Sequence, residues 1–221
     1  MEHTKDTLPA LVTGASRGLG AALALGLAER GYPVIAVART VGGLEDLDDR
    51  IKAVGGTATL APLDVTNDGA MQHLCRSIHD RWGGLSLWVH TALHTAPLSP
   101  AQFIDTKDWD RSTAVNVDAT RRLICYVAPL LTTPDAKAVF FDDPRGGAKF
   151  FGAYGATKAA QIALAQSWAA ETVRTGPQVR VLTPPPLATA TRARFFPGED
   201  RSVLTQPSDA AATLLDEIFG A

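Results

Sequence analysis

The sequence predicts an α/β fold, a doubly wound parallel sheet of six strands with helices on both faces, and three observations predict it. Short apolar, β-branched runs alternate along the chain with longer helical patterns, the order expected of βαβ units. A glycine-rich turn separates the first such run from the first helical pattern. Right-handed crossovers between parallel strands then put helices on both faces of the sheet.

The expected strands are Leu8–Thr13, Pro33–Ala38, Thr57–Leu63, Leu85–Thr91, Ala136–Phe141 and Gln178–Thr183. Helical spacing runs through Gly18–Arg30, Gly43–Val54, Asp68–Trp82, Thr106–Leu131 and Gly152–Thr175. Beyond Thr183 the pattern changes. Pro184, Pro185 and Pro186 open a loop that reaches Arg201, with Phe195 and Phe196 as an apolar lid over the cleft. His94–Gln102 is expected to form the opposite wall. Ser208 and Asp209 cap a final helix ending near Phe219. No linker or repeat divides the chain, so residues 8–221 read as one domain behind a flexible N-terminus at residues 1–7.

Composition narrows the classes. A chain of 221 residues, 46% hydrophobic and 20% charged, can bury a core without metals or disulfides. A formal net charge of −2 gives no electrostatic reason to expect nucleic acid or an anionic membrane as partner. No apolar run is long enough to span a bilayer and the first residues lack the apolar stretch of a signal peptide, so the protein is expected to be cytoplasmic. Cys75 and Cys125 both lie in apolar helical patterns and read as buried free thiols. His90 and His94 have no Cys or carboxylate neighbours at ligand spacing, so no metal is expected.

The turn Gly14-Ala15-Ser16-Arg17-Gly18-Leu19-Gly20 follows the first strand and opens the first helix. Glycines here allow a tight turn, close approach of backbone to a phosphate, and packing of helix on strand. The helix start offers free N–H groups and the positive end of its dipole to a pyrophosphate. Ser16 adds a hydroxyl, and Leu19 lies within the same phosphate-facing stretch. The second strand ends at Ala38, followed by Arg39 where an acid would bind ribose hydroxyls. A planar guanidinium pairs with a 2′-phosphate. NADP(H) is therefore the expected cofactor.

Tyr154-Gly-Ala-Thr-Lys158 starts a long helix, and a spacing of four puts both side chains on one face. A phenol titrating near 10 needs a nearby cation to act at neutral pH. Together with Gly14–Gly20 and Leu63-Asp64-Val65-Thr66, this makes the sequence resemble the short-chain dehydrogenase/reductase family, from Leu8 to about Phe219. The resemblance implies a Rossmann-like fold and hydride transfer between a nicotinamide and a small-molecule carbonyl or alcohol. It implies Tyr154 as acid or base, Lys158 as its activating cation and a holder of the nicotinamide ribose, and Asn116 as anchor of a water in a proton relay. Arg17 matches a basic position of NADPH-preferring members. Asp64 and Val65 would contact adenine, although Asp64 and Thr66 also suit a simple turn. Ala92, Leu187 and Thr189 would flank the nicotinamide half.

The pattern also breaks. The family places a serine about a dozen residues before the tyrosine, where this chain has Asp142 and Asp143, and Asp143 is the better equivalent. Its carboxylate could raise the phenol pKa, it could donate a hydrogen bond if protonated, or it could turn away or pair with Arg145. The turn His90-Thr91-Ala92-Leu93 replaces Asn-Asn-Ala-Gly, and Pro185 replaces a glycine. These departures support an alternative, a catalytically impaired NADP(H)-binding sensor or assembly protein. A seventh strand is not expected after Phe219. Homodimerisation is expected through the two long helices.

Overall fold

In the computed structural model, which describes residues 8–220, the sheet has six parallel strands in the order β3-β2-β1-β4-β5-β6. They are β1 (Ala10–Thr13), β2 (Val34–Ala38), β3 (Ala58–Pro62), β4 (Leu87–His90), β5 (Lys137–Phe141) and β6 (Gln178–Leu182). This is the doubly wound sheet read from the sequence, with each strand slightly shorter than its apolar run. The expected flexible N-terminus, residues 1–7, lies outside the described residues.

Strict alternation along the strands sends side chains to two cores. Val12, Ala36, Val89 and Val139 point to one face, where α1 (Gly18–Glu29), α2 (Val41–Ala53) and α8 (Pro207–Phe219) cover them. Leu11, Ile35, Trp88 and Phe140 point to the other, under α3 (Asp68–Trp82), α5 (Ala119–Val127) and α6 (Gly152–Thr172). Thr13 and His90 are register partners on β1 and β4 and follow this alternation onto the α5–α6 side. Their polar side chains are thereby fully buried.

The helix expected over Thr106–Leu131 is not continuous. It comprises α4 (Thr106–Ser112), a wide turn at Thr113–Asp118, α5, and a tight turn at Ala128–Leu130. In the wide turn Ala119 N–H bonds Ala114 carbonyl, five residues back, which inserts one residue into the helical ladder. Pro129, lacking an N–H, ends the regular helix after Val127. The Pro184–Arg201 loop is also partly ordered, containing α7 (Ala190–Phe195) with Thr189 as its cap. Cys75 is buried as expected, but Cys125 is exposed, because its position on α5 faces away from the sheet.

Candidate functional site

All six strands end at the same edge, and the crossovers part at β1 and β4. A cleft opens there, at the switch point where open α/β sheets bind ligands. Its cavity of about 660 Å³ is lined from the ends of β1, β2, β3, β4 and β5, from the loop after β6, and from α6 and α7.

The first half of the cleft is built by the glycine turn. Gly14 has φ +89°, and a Cβ there would lie 2.6 Å from Ala92 N, so only glycine lets this turn close against the end of β4. No side chain caps the start of α1, and Gly18, Leu19 and Gly20 all face the cavity. A Cβ on Gly18 would have the Thr189 side-chain methyl as its nearest neighbour, at 3.5 Å, so the helix start is open towards the cleft. Ser16, Arg17, Arg39, Asp64, Val65 and Ala92 line the same cavity, as do Leu187 and Thr189.

Arg39 reaches over Asp64, with Nη1 3.7 Å from Oδ2. Asp64 Oδ1 accepts from Thr66 N–H and hydroxyl at 2.9 and 2.8 Å, which leaves Oδ2 to Arg39. Burial alone would raise the Asp64 carboxyl, but the Thr66 bonds and Arg39 hold it below the usual carboxylate range. The half-exposed Arg39 and Asp64 thus frame a pocket beyond β2 to which β2 itself contributes no acid. An open, uncapped helix start with Arg17 and Arg39 lining the same cavity fits a dinucleotide with an added phosphate.

The second half carries acid–base groups. Tyr154 sits in the first turn of α6, 3% exposed, with Phe195 at 4.9 Å between ring centroids and Phe151 at 6.3 Å. Its hydroxyl donates to Asp143 Oδ2 at 3.1 Å, while Arg145 Nε donates to Asp143 Oδ1 at 3.0 Å. Burial, then the Asp143 charge and hydrogen bond, raise the phenol above its usual range. The carboxylate beside the phenol and the pair with Arg145, two of the arrangements open to Asp143, therefore occur together. Gly155 makes this possible: a Cβ there would run into the Arg145 carbonyl, so its absence lets the Asp143–Gly146 segment lie against α6.

Lys158 is also buried but turns elsewhere. Its Nζ donates to Gln161 Oε1 at 2.7 Å, and Gln161 Nε2 donates to Thr120 Oγ1 at 2.9 Å. Burial pushes the lysine down to about 8, although Asp142 and Asp143 favour its charged form. Thr120 also meets His90 Nε2 at 3.0 Å, and His90 Nδ1 meets Thr13 Oγ1 at 2.7 Å. Burial, then the Lys158 charge, hold His90 neutral by pushing it down to about 3.

Asn116 emerges from the wide turn fully buried. Its Oδ1 accepts from His94 N–H at 2.7 Å, and its Nδ2 donates to His94 carbonyl and Thr157 Oγ1, both at 3.0 Å. Its own carbonyl accepts the Thr120 hydroxyl at 2.9 Å. The amide thus clamps the chain after β4 to α6. On that side Leu93 lines the cavity, whereas His94 is drawn back onto Asn116. Arg192 forms a two-bond pair with Glu199 and stacks over Phe196 at 4.4 Å.

Sequence reasoning missed Thr120 and Gln161 as members of the site, and it named Arg145 only as a partner for Asp143 and His90 only as a departure from the family's turn. Gln161 lies three residues after Lys158 and Thr120 four after Asn116, spacings that put each pair on one helical face. The contacts of His90 come from the register of β4 beside β1, which no local pattern in the sequence announces.

Comparison with known proteins agrees with this geometry. The family model for short chain dehydrogenase matches residues 9–200. A sorbitol dehydrogenase of Cereibacter sphaeroides is 31% identical over 183 residues, covering 81% of this chain and 70% of that protein. An uncharacterized oxidoreductase of Listeria monocytogenes is 29% identical over 182 residues, covering 80% and 73%. Among solved structures, a Shigella flexneri short chain dehydrogenase complexed with NADP superposes with a TM-score of 0.89 at 29% identity, covering 97% of this chain and 93% of that one. An Escherichia coli short chain dehydrogenase complexed with NADPH gives 0.87 at 30% identity, covering 97% and 93%. With the family model matching residues 9–200, the chain belongs to the short chain dehydrogenase family.

Proposed function

We propose that the chain is an NADP(H)-dependent oxidoreductase acting on a small-molecule carbonyl or alcohol, with residues 8–221 as one functional unit. The observation that carries this reading is that one cleft joins an open helix start, Arg39 in place of an acid after β2, and Tyr154 with Lys158. Similar proteins complexed with NADP and NADPH support the choice of cofactor.

Gly14, Ser16, Gly18, Leu19 and Gly20 would hold the pyrophosphate, Arg17 and Arg39 the 2′-phosphate, and Asp64 and Val65 the adenine. Ala92, Leu187, Thr189 and Lys158 would hold the nicotinamide half. The bound cofactor supplies or accepts hydride. Tyr154 would exchange a proton with the substrate oxygen beside the apolar walls of Leu93, Phe195 and Phe196. Asn116 serves this site by fixing the chain after β4 to α6, and would anchor the water of a proton relay between Lys158 and solvent.

Fluorescence titration with NADPH and NADH tests the cofactor assignment. Arg39→Ser is expected to weaken NADPH about tenfold, as one lost charge-assisted contact implies, and to leave NADH unchanged. Equal weakening of both would remove Arg39 from phosphate recognition. Tyr154→Phe is expected to abolish turnover of aldehydes, ketones or alcohols while retaining NADPH binding.

A second reading, a cofactor-binding sensor with little turnover, is favoured by one observation. The phenol is engaged by Asp143, and Lys158 by Gln161. NADPH binding without turnover would support it. We further read the protein as a cytoplasmic homodimer through α5 and α6. The outward face of α6 offers exposed Ala156, Ala159, Ala163 and Ala170, small enough for close helix packing. No described helix is long and apolar enough to cross a membrane.

A further inference from the structure

A tyrosine that works as a base needs a place for its own proton, and the cleft offers one. Asp143 Oδ2 lies 3.1 Å from the Tyr154 hydroxyl and is its acceptor. The other carboxylate oxygen is fixed by Arg145 Nε at 3.0 Å, so the group is oriented by an ion pair rather than left to rotate. One-third of the Asp143 side-chain surface remains exposed, at 34%, which opens a path from the carboxylate to solvent. Lys158 donates to Gln161. The remaining charge acting on the phenol is Asp142, just after β5; Arg192 on the lid lines the same cavity and is paired with Glu199.

We propose that Asp143 is the proton acceptor of this site, working through Tyr154 in the direction of alcohol oxidation. The inference rests on the oxidoreductase reading. As the substrate hydroxyl approaches Tyr154, its O–H bond breaks and a new O–H bond forms on the phenol oxygen. The original phenol O–H bond breaks in the same movement, and its proton forms an O–H bond with Asp143 Oδ2. The electron pair of the carbinol C–H bond leaves as hydride to the oxidised nicotinamide, and the substrate becomes a carbonyl compound. Asp143 then returns its proton to water through its exposed edge. No phenolate is required. That suits a phenol which burial and the Asp143 charge make harder to ionise. Arg145 and Gly155 act as positioning residues, one by the ion pair and the other by letting the segment lie against α6.

The first test needs no cofactor. Near-ultraviolet tyrosinate absorbance is titrated in the wild type, Tyr154→Phe, Asp143→Asn and Asp143→Ser, with circular dichroism on each sample to confirm the fold. The chain has three tyrosines, so subtraction of Tyr154→Phe isolates the Tyr154 band. Removing the carboxylate charge is expected to move that band down by about one to three pH units in both Asp143 variants. An unchanged band in folded variants would overturn the coupling.

The second test measures oxidation of primary, secondary and polyhydric alcohols with NADP+. Asp143→Asn is expected to lower kcat about 10²-fold at neutral pH. The rate then recovers roughly tenfold per pH unit as ionisation of Tyr154 replaces the missing acceptor. A wild-type rate with an unchanged pH profile in Asp143→Asn would overturn the proposal. So would NADP+ binding without oxidation of any alcohol. Failure to bind NADP+ would instead overturn the cofactor assignment, leaving the tyrosinate titration to decide the role of Asp143.

Discussion

His90 makes the stability of this protein depend on pH between about 3 and 6.5. The imidazole is 2% exposed, bonded to Thr13 at 2.7 Å and Thr120 at 3.0 Å, and packed between Trp88 and Phe140. Burial, with Lys158 nearby, pushes it down to about 3, whereas an unfolded histidine titrates near 6.5. Between those values the unfolded chain binds a proton that the folded chain refuses. Stability from this group is therefore complete above about pH 6.5, is lost progressively as pH falls, and is gone below about pH 3. At pH 5 the unfolded state is favoured by about 1.5 pH units of proton binding, or about 2 kcal/mol. That figure changes little if the folded value is moved by a whole unit, because pH 5 still lies above it.

The matching perturbation is His90→Asn, which retains hydrogen-bonding atoms and removes the titration. It is expected to cost about 1–3 kcal/mol at pH 7 through lost packing against Trp88 and Phe140. Thr13 and Thr120 retain Val89 and Asn116 carbonyls as acceptors, so neither hydroxyl is orphaned. Urea unfolding of both proteins at pH 7 and pH 5 gives the comparison. Wild type should lose about 2 kcal/mol more than the variant over that interval, since the carboxylates common to both cancel. Parallel losses in the two proteins would refute the reasoning and place a charged or solvated imidazole at position 90.

Gly155→Ala sets a helix-propensity gain of about 1 kcal/mol against collision with the Arg145 carbonyl, which costs about 1–3 kcal/mol. Net destabilisation in urea unfolding is expected, together with a lowered Tyr154 tyrosinate band as Asp143 moves away; a more stable variant would contradict the close approach. Asn116→Ala removes three hydrogen bonds, leaves His94 backbone groups unpaired, and is expected to cost about 2–4 kcal/mol. Hydrogen exchange should show the His94 amide losing its protection, and an unaltered amide would mean that another group holds this segment.

Much of the molecule was legible in one dimension because its signals are local. The alternation of apolar runs with helical spacing marked all six strands, since burial on both faces of a parallel sheet demands such runs. Gly14 to Gly20 announced the tight turn that lines the cleft, and the spacing of Tyr154 and Lys158 put both on the cleft side of α6. Ala38 followed by Arg39 was readable for the same reason: a strand end and its next residue lie at the cleft by construction. The break within Thr106–Leu131 was not, because an extra residue in a helical turn leaves the apolar periodicity almost intact.

Tertiary structure alone decided which polar groups partner one another. Sequence placed Lys158 within reach of Tyr154, but only folding showed the ammonium turned to Gln161 and the phenol to Asp143. The choice depends on Gly155, whose missing side chain admits the segment carrying Asp143 and Arg145. Asp143 lies 11 residues from the tyrosine, outside the periodicity of its helix. His90 met Thr13 because β4 pairs with β1 in that register, 77 residues apart in the chain. Periodicity determines which face of an element is buried. What a buried polar atom bonds to is set by the approach of distant elements, and a low-dielectric interior makes that pairing decisive for its charge.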